Sequence, residues 1–148
     1  TGTDNIIINN HFTNITVSGI YTSGARSLVS NNISNNNADG IYINGDDMVV
    51  SNNICYSNSD NGIELYGSER CAILSNHYYD NNGEGIHLHN NSDNNSVTGN
   101  VCYNNDNGIY IEHADCNRNV ITGNRCNGNN TDINNQGTNT TIAGNDYT

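Results

Sequence analysis

The chain has no lysine, proline or tryptophan, and its only fixed cations are four arginines, Arg26, Arg70, Arg118 and Arg125. Against 15 acidic residues they leave a formal net charge of −11. A phosphate backbone is held by clustered cations, so nucleic acid is set aside as a partner. The same acidity disfavours anionic membranes. No apolar run is long enough for membrane insertion. Hydrophobic residues make up only 33% of the chain and about a quarter of all residues are Asn, a polarity that ordinarily leaves a chain disordered. The five cysteines, Cys55, Cys71, Cys102, Cys116 and Cys126, lack a paired metal-type spacing and are odd in number, so they set no redox compartment. The Asn-x-Ser/Thr sequons are no more frequent than an Asn-rich composition gives by chance.

What is present is a beat. Gly-Ile recurs at Gly19-Ile20, Gly40-Ile41, Gly62-Ile63, Gly85-Ile86 and Gly108-Ile109, with Asp132-Ile133 as a degenerate sixth copy. Subtraction gives steps of 21, 22, 23, 23 and 24 residues. A second marker keeps the same phase: an Asn with Leu, Val or Ile three residues earlier, at Asn10, Asn31, Asn52, Asn76, Asn100, Asn124 and Asn145. Two markers in fixed phase mean one supersecondary unit copied in tandem. The few apolar residues then line a narrow continuous core. The expected organisation is a single domain over residues 1–148.

Within a copy the apolar pattern has period two, the signature of a strand. The inward pairs are Ile41 and Ile43, Ile63 and Leu65, Ile86 and Leu88, and Ile109 and Ile111. A polar loop follows, then a short strand before the marker Asn, with Leu28, Val49, Ile73, Val97, Ile121 and Ile142 expected inward. A third strand carries Phe12, Ile33, Ile54, Tyr78, Cys102, Cys126 and Tyr147 two residues after the marker. Stacked coils pair each strand with its copy in parallel about 4.8 Å away, and turn asparagines form a ladder from coil to coil. Asn tolerates left-handed backbone, which suits it to the marker position.

With these features the chain resembles the right-handed parallel β-helix repeat family found in pectate-lyase-like proteins, polyuronate epimerases and NosD-like surface proteins. The resemblance spans residues 5–147 and implies an all-β solenoid of six to seven coils with three short strands each. It implies an extracellular or cell-surface setting and a polysaccharide or glycan partner. In pectate lyases the asparagine ladder marks the turn between the second and third strands. That mapping makes the Gly-Ile strand the first, the one whose outer face usually carries substrate.

If the isoleucines point inward, Tyr21, Tyr42, Glu64, His87 and Tyr110 form one outward column. Ser23, Asn44, Tyr66, His89 and Glu112 form a second, and Ser18, Asp39, Asn61, Glu84 and Asn107 precede the Gly-Ile strand. Glu64, Tyr66, Glu84, His87, His89, Tyr110 and Glu112 thus share one patch, with Tyr42 beside it. Four readings stay open. Tyrosines can stack on sugar faces while carboxylates and imidazoles bond hydroxyls. Glu64, Glu84 and His87 can serve as acid and base in a lyase, epimerase or hydrolase. His87-x-His89 can hold a metal with Glu64 or Glu112. The patch can also be a solvated face with no ligand.

The epimerases and lyases that the chain resembles pair a short Asp/His motif with an Arg or Lys, and no such motif occurs here. Without a cation in the patch, a neutral glycan fits better than a uronate unless Ca²⁺ supplies charge. Two loops offer oxygen ligands for Ca²⁺, Asn44-Gly45-Asp46-Asp47 and Asn91-Ser92-Asp93-Asn94. Cys102 and Cys126 share an inward column, where strand spacing favours buried thiols over a disulfide. His11, His77 and His113 fall in other columns and are assigned no site. The chain opens in mid-pattern at Ile6-Ile7-Ile8 and stops after Asp146-Tyr147 with no polar cap. Head-to-tail self-association into a filament is therefore the alternative expectation.

Overall fold

The structure, a computed structural model, describes residues 2–147. It is a parallel β-solenoid, with no helix among the described residues. The strands fall into one 7-stranded sheet and two 6-stranded sheets, and within each sheet the neighbours are successive copies of the same strand. The Gly-Ile strands Ile20–Thr22, Ile41–Ile43, Ile63–Tyr66, Ile86–His89, Asn107–Ile111 and Thr131–Asn135 make up the third sheet.

The three inner faces meet in one column of apolar side chains. Ile41, Ile43, Ile63, Leu65, Ile86, Leu88, Ile109 and Ile111 are all fully buried, as their period-two spacing predicts. Gly62 is needed here for close approach. A Cβ on it would lie 2.6 Å from the Gly85 carbonyl oxygen and 2.7 Å from a Tyr78 ring carbon. The glycine of the beat therefore lets one coil's backbone rest on the next.

Each coil turns three times, and a left-handed residue recurs in each turn. In the turn between the first and second sheets the left-handed residues are Asn9, Asn31, Asn52, Ser75, Gly99, Gly123 and Gly144. The ladder itself is Asn10, Asn32, Asn53, Asn76, Asn100, Asn124 and Asn145, joined amide to amide at 2.9–3.2 Å. Asn31 and Asn52 are thus the left-handed residues and not the rungs. Each stands beside a second Asn, which the sequence marker could not tell from it.

The same offset of one residue corrects the inner face of the first two complete coils. Val29 and Val50 are buried, whereas Leu28 is half-buried and Val49 exposed. On the second sheet Ser34 and Cys55 take the inward places expected for Ile33 and Ile54. In the next coils the expected register holds, with Ile73, Val97, Ile121, Tyr78, Cys102 and Cys126 all buried. Ile142 and Tyr147, expected inward, are exposed because no further coil among the described residues covers them.

A second amide ladder lies five residues further on, at Asn37, Asn58, Asn81, Asn105 and Asn129. Its rungs also donate to main-chain carbonyls of the preceding coil, as Asn81 does to Cys55 O at 3.3 Å. Buried amides of this kind replace much of the apolar area that the composition lacks, each satisfied bond contributing about 1 kcal/mol net. The five cysteines are buried free thiols.

Candidate functional site

The third sheet's register builds the outward columns. Tyr21 pairs with Tyr42, Tyr42 with Glu64, Glu64 with His87, and His87 with Tyr110. Tyr66 pairs with His89 in the next column. Tyr21 and Tyr42 stack in register, and Tyr42 stacks diagonally on Tyr66. Tyr21 and Tyr42 rings lie 5.5 Å apart at 16°, and Tyr42 and Tyr66 rings 6.1 Å apart at 24°. The Tyr42 ring is thus stacked between those of Tyr21 and Tyr66.

Four of the expected residues converge. Glu112 Oε2 lies 3.1 Å from His87 Nε2 and 3.1 Å from His89 Nε2. On the other side of the ring, His89 Nδ1 lies 3.4 Å from Glu64 Oε1. His89 is thus held between carboxylates two coils apart. His87 stacks on Tyr110 at 5.3 Å and 3°, and Tyr66 meets His89 edge-on at 5.2 Å. His87 Nδ1 is buried and has no hydrogen-bond partner.

Glu84 is held elsewhere. Its main-chain N–H donates to Asn61 Oδ1 at 3.0 Å, and its carboxylate accepts from Asn107 Nδ2 at 3.0 Å. These bonds continue the polar column Ser18, Asp39, Asn61, Glu84 and Asn107, and the histidines are not among its partners. His113, assigned no site from sequence, joins the cluster instead. It lies 3.5 Å from Glu112 and packs its ring against His89 at 5.4 Å. The strand ends at Ile111, so period-two alternation no longer governs where residue 113 points. Gln136 also reaches the face, donating to the Tyr110 hydroxyl at 3.0 Å.

The electrostatics follow from burial and like charge. Burial first, and then the charge of Asp39, raise the Glu64 carboxyl above the ordinary carboxylate range. Burial, with Glu64 next in weight, pushes the Tyr42 phenol up to about 12. None of the four arginines offsets this. Arg26 pairs with Asp4, Arg70 with Asp46, Asp47 and Glu69, Arg118 with Asp93, and Arg125 with Asp146. Both loops considered for Ca²⁺ thus have carboxylates facing an arginine.

Other surface features lack this chemistry. A groove of about 650 Å³ follows the turn between the second and third sheets past Asn36, Ser59, Asp80 and Asn82. Another, of about 310 Å³, crosses the second sheet between His77, Tyr79, Tyr103 and Arg125. Neither brings two carboxylates onto one imidazole. A third groove of about 370 Å³, lined by Val17, Ser18, Tyr21, Asp39 and Tyr42, adjoins the stacked tyrosines and lengthens the face.

Fold and face together define a β-solenoid with an imidazole–carboxylate cluster set in a tyrosine-rich strip. The chain belongs to the right-handed β-helix family, whose model matches residues 1–147. No curated protein sequence matches it. Among solved structures, a mutant of the periplasmic alginate epimerase AlgG is similar, with a TM-score of 0.84 at 21% identity over 97% of this chain and 39% of that one. An alginate lyase from Paenibacillus sp. str. FPU-7 gives 0.77 at 15% identity, covering 95% and 55% of the two chains. The Azotobacter vinelandii mannuronan C-5 epimerase AlgE4 A-module gives 0.69 at 17%, covering 97% and 55%. At these identities the likeness is one of fold, and the chain spans about two fifths to just over half of their lengths.

Proposed function

We propose that the protein binds polysaccharide along the outer face of the third sheet, as an extracellular or cell-surface module. The observation that carries this reading is the unbroken register of Tyr21, Tyr42, Glu64, His87 and Tyr110, one hydrogen-bonding side chain per coil. Coils repeat about every 4.8 Å, close to the advance of one sugar ring along a glycan. A linear chain laid across the strands would thus meet hydroxyls, carboxylates and imidazoles at its own period. The similar epimerases and lyase are named for alginate, which supports a glycan as the ligand class. Glycan-array binding tests the reading. Tyr42→Ala, His87→Ala and Tyr110→Ala should each weaken binding about tenfold or more, a loss of roughly 1.4 kcal/mol. Unchanged binding in all three would reject it.

A second reading, sugar chemistry, is favoured by Glu64 facing His89 at 3.4 Å with its carboxyl raised by burial, the arrangement of a general acid beside an imidazole. Product analysis on polysaccharide tests it. Glu64→Gln should abolish turnover, and retained products would clear that residue. Glu84, bonded to Asn107, is expected to matter less.

A further inference from the structure

We propose that Glu64, His87 and His89 form a binding site for a divalent transition-metal ion of the Zn²⁺ class, with Glu112 orienting both imidazoles. The inference concerns the face proposed for glycan, but its test contains no glycan, so either can fail alone.

The sequence places two imidazoles at i and i+2 of one strand, Ile86–His89, where alternation puts both on the same face. The register then sets Glu64 beside His87 on the preceding coil. Donor atoms of Glu64, His87 and His89 all lie within 4.8 Å of one another. Ligands at about 2.0–2.2 Å from a tetrahedral ion stand roughly 3.3–3.5 Å apart, so small rotations of these side chains close the set. The separation of 3.4 Å between Glu64 and His89 already matches.

The hydrogen bonds assign the ring nitrogens. Glu112 Oε2 faces both Nε2 atoms at 3.1 Å, and a carboxylate only accepts, so both Nε2 atoms carry protons. In neutral imidazoles that leaves two Nδ1 lone pairs. One belongs to His87 Nδ1, which is buried without a partner. The other belongs to His89 and faces Glu64 Oε1, itself an acceptor. With Glu64 ionised, the lone pairs that remain on these three neighbouring groups have no donor among them, and a cation would satisfy them. The Glu112 contacts supply the outer carboxylate that metal-bound histidines ordinarily use to fix tautomer and ring orientation. Two nitrogen donors select Zn²⁺, Co²⁺ or Ni²⁺ over Ca²⁺ and Mg²⁺. The competing assignments are a protonated Glu64 donating to His89 Nδ1 and a doubly protonated His89 bridging Glu64 and Glu112, and both leave His87 Nδ1 orphaned.

Calorimetric titration of the chelator-treated chain with Zn²⁺ decides between them, with Co²⁺ absorption as a second readout. One equivalent should bind, Co²⁺ should give the intense visible bands of tetrahedral coordination, and Ca²⁺ should not compete. His87→Ala and His89→Ala should each lower Zn²⁺ affinity at least 100-fold, Glu112→Gln about 10–100-fold, and His77→Ala not at all. Long-range ¹H–¹⁵N spectra of the unsubstituted protein avoid any folding defect in the variants. They should show Nε2–H tautomers at His87 and His89, with Nδ1 resonances that move on adding Zn²⁺. Absence of binding, binding that survives His87→Ala, or Nδ1 resonances unmoved by Zn²⁺ would overturn the site. Equal loss on His113→Ala would also overturn this ligand set, in favour of His89, Glu112 and His113, whose donor atoms are likewise close.

Discussion

Asn53 and Asn76 are joined by two hydrogen bonds to one oxygen: Asn76 Oδ1 accepts from the Asn53 main-chain N–H at 2.8 Å and from its Nδ2 at 3.0 Å. Asn76 Nδ2 in turn donates to Val50 O and to Asn100 Oδ1, both at 3.0 Å. Asn76 is fully buried. Asn76→Ala therefore leaves buried donors and a carbonyl unpaired, and unfolding by denaturant should show a loss of about 2–4 kcal/mol. The neighbouring left-handed position is different. Asn52, at φ 56°, is exposed, and Asn52→Gly should change stability by no more than about 0.5 kcal/mol.

Asp39 gives the pH dependence. Its carboxylate accepts from Ser18 Oγ at 3.2 Å and from Asn61 at 3.3 Å, but burial, and after it the charge of Asp60, raise it above the ordinary carboxylate range. Because the folded-state pKa is raised, the fold holds the proton more tightly than the unfolded chain does. The charge then costs stability at neutral pH, and the cost disappears as pH falls from above the raised pKa to below the usual carboxylate value. Asp39→Asn keeps an acceptor for Asn61 and removes the charge. Thermal melts should show a gain of a few degrees at pH 7 that vanishes in acid below the usual carboxylate range.

The thiols should be inert in the native protein. All five are buried, and burial holds the Cys71 thiol at about 11, the Cys55 thiol higher still, and the Cys102 thiol well above the ordinary thiol range. Cys102 and Cys126 pair in register without a disulfide between them. A thiol-reactive dye should label none of them before unfolding and all five after it. Fast native labelling of Cys102 would contradict the burial.

Much of this was legible in the residues. The Gly-Ile beat located every strand of the third sheet, and alternation along Ile63-Glu64-Leu65-Tyr66 named its inner and outer faces. The register of the other two sheets was harder. Where Ser75-Asn76 or Gly99-Asn100 punctuates the turn, only one residue can be the rung. Where Asn31-Asn32 or Asn52-Asn53 does so, side-chain chemistry cannot choose, and a slip of one residue reverses the faces. The second ladder had a signal, an Asn five residues after each rung from Asn32 to Asn124, but in so Asn-rich a chain it stood out little. His113 was not legible, because its direction depends on a loop beyond Ile111. The mutual stacking of Tyr21, Tyr42 and Tyr66 likewise needed coordinates, since columns give neighbours but not ring planes.

Affinity electrophoresis through gels containing neutral or acidic polysaccharides tests the binding face most directly. Tyr42→Ala and Tyr110→Ala sit on the third sheet's strip. Tyr56→Ala and Tyr79→Ala break an equally well stacked pair, 5.0 Å apart, on the second sheet. The expected result is retardation of the unsubstituted protein by at least one polysaccharide, lost in the first pair of variants and kept in the second. Retardation that survives both third-sheet substitutions, or is lost only with the second-sheet pair, would contradict the assignment of function to this face.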